Sequence, residues 1–352
     1  MVKNVTVLGI NDGHDAGAAL IRNGRVLAAV QEERLVNIKH YSGVPEKSIK
    51  HVFKIAHIHP SEVDVIAIVG LVRATAPLKE EESFKVRLFN KLSPLIANRT
   101  FINIFRKFLH KFRRMKELYK IFRELEIENK EVMFVEHHFA HASCAYRTAP
   151  WSYDEPTLIL TADGAGDLLS ATVNVGEKGE IRRIASTLYY HSLGNIFYSE
   201  ITRYLGMKPW DHEYKVMGLA PYGEPQYCIK QIEKIIRINP KNPLEFQNRI
   251  GRYGRYVQLK LRKLLAGQRF DNIAAATQLW FEYLITNWIK NAIELTDIHK
   301  IACAGGLFLN VKANKKILEM PEVENAFFYP AAGDDGTPVG AALQAYYEYC
   351  LR

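Results

Sequence analysis

The feature that most constrains the fold is a strand pattern that occurs twice in the chain. Residues 5–27 read VTVLGINDGHDAGAALIRNGRVL: an apolar strand, an Asp-Gly pair, a second strand, a tight turn and a third strand. Residues 156–184, PTLILTADGAGDLLSATVNVGEKGEIRRI, repeat these features in the same order about 150 residues later. Asp12-Gly13 and Asp163-Gly164 hold equivalent positions after the first strand of each copy. The pattern predicts two β-meanders and a duplicated α/β protein with two lobes; chance similarity between unrelated domains is the alternative.

The segments after the second meander predict the helices and strands that complete such a lobe. Apolar residues at helical spacing indicate a long amphipathic helix near 271–295 and a shorter helix at 194–205. The sequence predicts a strand at 300–303, and it closes with a strand, an Asp-Gly turn and a helix. We therefore expect a first lobe over 1–150, a second lobe over 151–335 and a C-terminal helix over 336–352.

Composition excludes several classes of protein. The 352 residues are 48% apolar and 24% charged, which excludes a disordered chain and a fibrous repeat. The four cysteines form no CxxC pair, so neither a zinc knuckle nor a disulfide framework is indicated. The first residues, MVKNVTVLGI, lack the apolar core of a leader, and no apolar run reaches the roughly 18–20 residues that span a bilayer. The sequence predicts a reduced, cytoplasmic protein.

The net charge of +9 is concentrated in one segment. Residues 84–130 contain 13 Lys and Arg against 4 Glu, a net of +9, and the rest of the chain has 34 residues of each sign. Within this segment, apolar side chains at alternating spacings of four and three indicate a basic helix with an apolar stripe: Phe101, Phe105, Phe108, Phe112, Met115, Tyr119 and Phe122. The stripe either packs on the protein body or another subunit, or meets an anionic membrane surface, or belongs to a nucleic-acid-binding helix. The regular spacing favours packing and disfavours nucleic acid.

The segment VEHHFAHASCAY carries the sharpest local signal. His137 and His141 are four residues apart, so a helix would project both side chains from one face. Imidazole suits iron, zinc or nickel, and the pair is half of a workable metal site. The HExxH protease motif is absent. A pair of ordinary hydrogen-bonded histidines is the alternative.

Asp-Gly pairs follow predicted strands at three places: Asp12-Gly13, Asp163-Gly164 and Asp335-Gly336, the last preceded by Asp334. Such pairs are common in turns. Carboxylates at strand ends, together with the Gly305-Gly306 turn, are also what a divalent cation and a nucleotide phosphate require. His14 and Asp15 lie beside the first pair, either as a base and its orienting partner or with Asp15 only capping the turn.

Six stretches, spread over nearly the whole chain, resemble the nodulation- and antibiotic-type O-carbamoyltransferases, in particular their N-terminal domain. They are GINDGHDAGAALIRNGRVLAAVQEERLVNIKH, EHHFAHASCAY, LTADGAGD, DHEYKVMGLAPYG, AGGLFLN and GDDGTPVGAA. The resemblance implies an α/β fold of the duplicated actin, sugar-kinase and heat-shock-chaperone (ribonuclease-H-like) type. It also implies kinship with the tRNA threonylcarbamoyltransferases. The basic segment 84–130 lies outside the six stretches.

The resemblance implies roles for individual residues. His137 and His141 would bind a divalent metal, with iron expected, together with Asp334 and Asp163. His14 or Asp12 would deprotonate the acceptor hydroxyl. Lys39 would contact the carbamoyl nucleotide, and Gly305, Gly306 and Asn310 would hold its adenosine portion. In the mechanism that we expect, backbone N–H groups near Gly164 and Gly306 orient the phosphate.

The implied activity is transfer of a carbamoyl group from carbamoyl-adenylate, itself made from carbamoyl phosphate and ATP, to a hydroxyl of a sugar, an antibiotic or another small molecule. The family's second domain, which forms the adenylate, carries a GRGEVGPRALG-type motif that this sequence lacks. We therefore expect the transferase half alone, with a separate domain or chain supplying the adenylate. The alternatives are a tRNA threonylcarbamoyl transferase, against which NDGHDAG and KVMGLAPYG argue, and a non-catalytic scaffold, which needs none of the His and Asp residues.

Overall fold

A computed structural model describes residues 4–73, 113–251 and 255–351 of the chain. The chain forms two compact units. The first unit comprises Met1–Arg147 and Asp334–Arg352, and the second comprises Thr148–Gly333. The last helix of the chain therefore belongs to the first unit.

The first unit is built on a five-stranded sheet in the order β3-β2-β1-β4-β5. Its strands are β1 (Thr6–Asn11), β2 (Gly17–Arg22), β3 (Arg25–Gln31), β4 (Val65–Val69) and β5 (Glu131–Val135). The first three strands pair antiparallel, β4 pairs parallel with β1, and β5 pairs parallel with β4. The predicted meander over 5–27 is confirmed, and its first strand lies at the centre of the sheet.

The second unit has a five-stranded sheet in the order β12-β11-β6-β7-β8 and a two-stranded antiparallel sheet of β9 and β10. Its strands are β6 (Thr157–Gly166), β7 (Leu169–Glu177), β8 (Glu180–Leu188), β9 (Ile236–Asn239), β10 (Asn242–Asn248), β11 (Lys300–Ala304) and β12 (Asn325–Phe328). Strands β6, β7 and β8 pair antiparallel, whereas β11 pairs parallel with both β6 and β12.

The two five-stranded sheets have the same topology, which confirms the predicted duplication and the α/β class. In each, a meander supplies three strands and two later parallel strands extend the sheet beyond the meander's first strand. The hairpin turns are also equivalent. Asn23-Gly24 and Lys178-Gly179 both have positive φ angles, 51° and 75° in the first pair and 50° and 83° in the second. Two successive left-handed residues are typical of the type I′ turn that matches the twist of a hairpin.

Helices cover the sheets. In the first unit they are α1 (Glu33–Val36), α2 (Glu46–Ala56), α3 (113–124), α4 (His137–Thr148) and α11 (Thr337–Cys350). In the second unit they are α5 (Ser199–Tyr204), α6 (Glu213–Leu219), α7 (Ile229–Ile232), α8 (Arg255–Leu264), α9 (Phe270–Thr296) and α10 (Val311–Leu318). A π-helical turn, Leu193–Tyr198, leads into α5, and short 3-10 turns include Gly306–Leu309 and Asp334–Gly336. The helices predicted near 194–205, 271–295 and 336–352 are confirmed.

Successive residues along β1 face opposite sides of the first sheet. Leu8 and Ile10 belong to the core that α2 and α3 complete, whereas Gly9 faces α11 on the other side. A Cβ atom at Gly9 would overlap the carbonyl oxygen of Pro338 in α11, so the glycine allows the helix to lie directly on the sheet. Both faces of β1 are therefore buried.

The basic segment is only partly described. Residues 84–112, with Phe101, Phe105, Phe108 and Phe112, lie outside the described residues. In α3, Leu118, Ile121 and Phe122 are fully buried in the first unit's core, and Met115 packs against it. Tyr119 is 45% exposed, so the predicted stripe is wrong at this position, where Leu118 takes the buried place. The described end of the basic segment packs on the protein body.

Candidate active site

Three parallel strands of the first unit bring predicted site residues to one edge of the sheet. Asn11 ends β1, Gly70 follows β4, and His137 follows β5 as the first residue of α4. Because these strands are parallel, their carboxyl ends meet at the same edge, where open α/β sheets bind ligands. The Asn11 side-chain amide donates to the carbonyl oxygens of His14, at 2.8 Å, and Asp334, at 3.4 Å. Asp334 and the start of α11 therefore join this edge.

His137, His141 and Asp334 converge in the first unit. The Nε2 atoms of His137 and His141 are 3.2 Å apart, and they lie 3.4 and 3.3 Å from the same carboxylate oxygen of Asp334. Both imidazoles are buried, with 3% and 0% exposure, because α4 is enclosed on nearly all sides. The spacing of four residues on a helix thus brings the two histidines together as the sequence predicted.

The donor set fits a divalent cation. Metal–ligand bonds of about 2.0–2.1 Å place neighbouring ligand atoms roughly 3.0–3.4 Å apart, and the three donor atoms here are separated by 3.2–3.4 Å. Two imidazole nitrogens facing each other across one carboxylate oxygen are also difficult to satisfy by hydrogen bonds alone. His137, His141 and Asp334 could therefore hold a metal ion whose preferences include nitrogen ligands.

Negative charge accumulates beside this cluster. Burial raises the pKa of Asp335 above its ordinary value, and the charges of Asp15 and Asp334 add to the effect. A cation bound at this edge would reduce that repulsion. The carboxylates around Asn11 thus form an electrostatically unfavourable group that is suited to positive charge.

Asp12 is engaged by two arginines. Its side chain is fully buried, and one carboxylate oxygen accepts from Arg73 Nε and Nη2 at 2.9 and 2.6 Å. Arg114 of α3 donates to both carboxylate oxygens, and also to the carbonyl oxygens of Val69 and Gly70 at 2.7 and 2.6 Å. Both oxygens of the Asp12 carboxylate are therefore engaged by guanidinium groups. The role of Asp12 in proton abstraction stays a prediction.

His14, Asp15 and His40 form a second cluster. His14 Nδ1 lies 3.1 Å from one Asp15 carboxylate oxygen, and His40 Nδ1 lies 2.7 Å from the other. The imidazole rings stack, with centroids 5.1 Å apart and planes inclined by 17°. Burial alone would raise the pKa of Asp15, but hydrogen bonds from His14 and His40, and then their charges, lower it to about 2. Lys39 is exposed in the same loop, next to His40.

The second unit carries the other predicted site residues. Asp163 and Gly164 lie within β6, where the ladder to β7 is irregular between Ala162 and Gly166. The predicted position of Asp163-Gly164 after the end of the strand is therefore wrong; the chain turns at Asp167-Leu168, both with positive φ. Asp163 accepts a hydrogen bond from the Gly306 backbone amide at 3.1 Å, so this amide is already engaged within the unit. The ligand role of Asp163 stays a prediction.

Gly305 follows β11 and has a φ of 107°, a conformation that favours glycine. A Cβ atom there would overlap the backbone of Ala162, so the glycine lets the 305–306 turn approach β6. Asn310 caps α10 by accepting from the Ala313 amide at 3.1 Å, and it exchanges two hydrogen bonds with the Gln278 side chain. The Asn310 side chain therefore supports α10 from within the protein.

Sequence reasoning missed three participants. Arg73 and Arg114 are 61 and 102 residues from Asp12, so no local pattern links them to it. The sequence offered one indication for Arg114: it is a positively charged residue among the apolar residues of the basic helix. His40 was present in the motif EERLVNIKH, where its proximity to Lys39 was the only indication.

Comparison with known proteins assigns the chain to a family. The family model described as carbamoyltransferase N-terminus matches residues 6–343. The chain belongs to this family. Nodulation protein NolNO of Sinorhizobium fredii is 31% identical over 332 residues, covering 94% of this chain and 46% of that protein. Nodulation protein NolO of Bradyrhizobium diazoefficiens is 31% identical over 211 residues, covering 59% of this chain and 37% of that protein.

This carbamoyltransferase-family chain spans about half the length of the curated relatives it matches. Among solved structures, HypF of T. kodakarensis covers 98% of this chain and 48% of its own, with 12% identity and a TM-score of 0.51. This similarity concerns the fold alone, which agrees with the predicted actin and sugar-kinase type. Within the described ranges, no helix is long and apolar enough to cross a membrane.

Proposed function

We propose that the chain transfers a carbamoyl group from carbamoyl-adenylate to a hydroxyl of a small-molecule acceptor, such as a sugar or an antibiotic. Its family supports the transfer class. The observation that carries the proposal is the convergence of His137, His141 and Asp334 within 3.2–3.4 Å at the sheet edge that also holds His14.

In this proposal His137, His141 and Asp334 hold a divalent cation, for which we propose iron. When bound, the cation supplies positive charge that stabilises the leaving nucleotide phosphate. The protein contributes two buried imidazoles and the carboxylate of Asp334, whose backbone carbonyl accepts a hydrogen bond from the Asn11 side chain. Asn11 also donates to the His14 carbonyl oxygen and thereby holds the backbones of Asp334 and His14 together.

We assign His14 as the base, because Asp12 is committed to Arg73 and Arg114. The acceptor oxygen attacks the carbamoyl carbon while its proton passes to His14. The new C–O bond forms as the bond from the carbamoyl carbon to the phosphate oxygen breaks, and AMP leaves with the bonding electron pair. No covalent intermediate with the protein is needed, so catalysis is by position and charge.

For the nucleotide we propose Lys39, Gly164, Gly305 and Gly306 as contacts, with Asn310 acting indirectly by fixing α10. Gly305 supports this assignment because its positive φ and lack of a side chain let the 305–306 turn, which follows β11, lie against the backbone of Ala162 in β6. The adenylate itself would come from a second domain or chain, consistent with relatives about twice as long as this chain. ATP and carbamoyl phosphate are then precursors of the donor.

The metal assignment is tested by replacing two ligands together. Each protein is dialysed in the presence of Fe²⁺, and its metal content is then measured by elemental analysis. We expect the double variant His137→Ala, His141→Ala to contain no bound divalent metal. The matched control is His51→Gln, which changes a histidine on α2 of the same unit and should leave the metal content unchanged. Unchanged metal in the double variant would show that the ion, if any, binds elsewhere.

The transfer itself is tested with preformed carbamoyl-adenylate and a panel of sugar hydroxyl acceptors. We expect carbamoylated product from the adenylate, and none from ATP plus carbamoyl phosphate unless the adenylate-forming partner is added. His14→Ala should lower kcat by roughly 10²–10⁴, the usual contribution of a positioned base. Lack of transfer from the adenylate to every acceptor would contradict the proposal.

A further inference from the structure

The cluster of His14, Asp15 and His40 is not explained by the need for a single base. One carboxylate serves two imidazoles, each through a different oxygen: Oδ2 for His14 at 3.1 Å and Oδ1 for His40 at 2.7 Å. Ligands of a shared cation would instead direct their donor atoms to one common point. The geometry here is that of two N–H groups donating to the two ends of a carboxylate.

The backbone places these side chains at some conformational cost. Asp15 and His40 both adopt left-handed conformations, with φ of 52° and 54°, which residues with a Cβ rarely occupy. Such residues concentrate at functional sites, because the surrounding structure must hold them there. The His40 amide donates to Glu33 Oε2 at 2.8 Å, and the Ala16 amide donates to the Tyr41 carbonyl at 2.9 Å. The first bond holds the loop of His40 on α1, and the second fastens this loop to the loop of Asp15.

We propose that Asp15 and His40 are positioning residues that hold His14 in the tautomer with the proton on Nδ1. The inference rests on the proposed function, in which His14 is the base. A carboxylate without a proton can only accept, so each Nδ1 facing it must donate. A neutral imidazole protonated on Nδ1 has its basic lone pair on Nε2, which therefore receives the proton of the acceptor hydroxyl.

The role of His40 is distinct from that of Asp15. Asp15 selects the tautomer and stabilises the imidazolium that forms on His14. His40 occupies the second carboxylate oxygen and lies against the His14 ring, so the carboxylate cannot rotate away and the ring cannot turn about its own bond. The lowered pKa of Asp15 agrees with this arrangement, since it keeps the carboxylate ionised under ordinary conditions. Two further acidic groups bear on the cluster: Glu33 accepts from the His40 amide, and the charge of Asp335 interacts with that of Asp15.

Two substitutions of His40 separate hydrogen bonding from ring packing. His40→Gln keeps an N–H donor for Asp15, whereas His40→Phe keeps a ring to pack on His14 but has no donor. With preformed carbamoyl-adenylate, we expect His40→Phe to lower kcat on the order of tenfold at unchanged KM for the acceptor, and His40→Gln to retain most of the activity. Asp15→Asn should lower kcat further, on the order of 10²–10⁴, because its amide group can favour the wrong tautomer.

A readout independent of activity is the ring nitrogen spectrum of His14 by NMR, assigned with His14→Ala in histidine-labelled protein. We expect a single Nδ1-protonated tautomer in the wild type and a mixture in His40→Phe, with His51→Gln as the control that leaves the spectrum unchanged. An unprotonated Nδ1 in the wild type, or the same tautomer in His40→Phe, would overturn the proposal. Loss of bound metal in His40→Gln would also overturn it, by identifying a metal ligand.

Failure of this inference and failure of the proposed function give different results. If His14→Ala transfers carbamoyl groups as fast as the wild type, His14 is not the base and the proposed function needs another. If His14→Ala is inactive while His40→Phe has normal kcat and a normal His14 spectrum, the base stands and His40 has no positioning role.

Discussion

The two five-stranded sheets share one topology but differ where the first strand of each meander ends. In the first unit β1 stops at Asn11, and Asp12-Gly13 leads into a loop that carries His14 and Asp15. In the second unit β6 continues through Asp163-Gly164, and the chain turns only at Asp167-Leu168. The same dipeptide therefore opens the loop of His14 in one copy and lies inside an irregular strand in the other.

The two aspartates also differ in what holds them. Asp12 is fully buried between two guanidinium groups, whereas Asp163 is half-buried and accepts a hydrogen bond from one backbone amide. Duplication has thus preserved the position of a carboxylate but not its task. In the first unit it anchors a helix, and in the second it fixes a glycine turn.

The largest expected effect is a loss of stability when the ion pair between Arg114 and Asp12 of the first unit is removed. Arg114→Leu leaves the Asp12 carboxylate buried with one arginine and removes two donors from the carbonyl oxygens of Val69 and Gly70. We expect the free energy of unfolding to fall by about 3–5 kcal/mol, as for other broken buried ion pairs. Urea denaturation, with hydrogen exchange of β1 to localise the loss, measures this.

The counterpart in the second unit is Asp163→Asn, which should cost only about 1 kcal/mol because a neutral amide oxygen can still accept from Gly306. Equal losses in the two variants would mean that the two aspartates are equivalent after all, and the contrast between the units would not stand.

A smaller effect depends on pH. The pKa of Asp15 is about 2 in the folded protein against 3.8 for an ordinary aspartate, so the ionised form stabilises the fold. This contribution is complete above pH 4 and is lost as the pH falls through 2. It amounts to about 2 kcal/mol. Urea titrations of wild type and Asp15→Asn at several pH values between 5 and 2 give the free energy of unfolding as a function of pH. Over this range the wild type should lose about 2 kcal/mol more than the variant. Parallel pH dependences of the two proteins would refute the lowered pKa.

The smallest effect sharpens the assignment of Asn310. Asn310→Ala removes the cap of α10 and both hydrogen bonds to Gln278, which should lower the free energy of unfolding by about 1 kcal/mol. Asn310→Asp keeps the acceptor for the Ala313 amide and should recover part of the loss. Thermal unfolding measures both. A variant of unchanged stability that binds the adenylate more weakly would instead make Asn310 a direct nucleotide contact.

The fold was largely predictable because its signals are local. Each meander fits within about 30 residues, and its turns are marked by residues such as Asn23 and Gly24 that tolerate positive φ. The approach of His137 to His141 is equally local, since one helical turn decides it. Asp334 entered the cluster only through family resemblance, because nearly 200 residues separate it from His141.

What could not be predicted depends on distant partners. The sequence around Asp12 resembles that of an accessible strand-end carboxylate, and only the folded chain brings Arg73 and Arg114 to it. The Gly306 amide is another case, since its engagement by Asp163 depends on the register between β6 and β11. Side-chain pairing across a fold, unlike a turn or a helix face, leaves no periodic trace in the sequence.

The two ion pairs of Asp12, with Arg73 and with Arg114, bear on how the sequence between these arginines can vary. Arg73 and Arg114 bind the same carboxylate, so the described residues on either side of positions 74–112 are held together at one point. When the two flanks of a segment are already held together, each doubling of its length costs only about 0.6 kcal/mol. Residues inserted between the two arginines should therefore change the free energy of unfolding little and leave the turn that carries His14 in place.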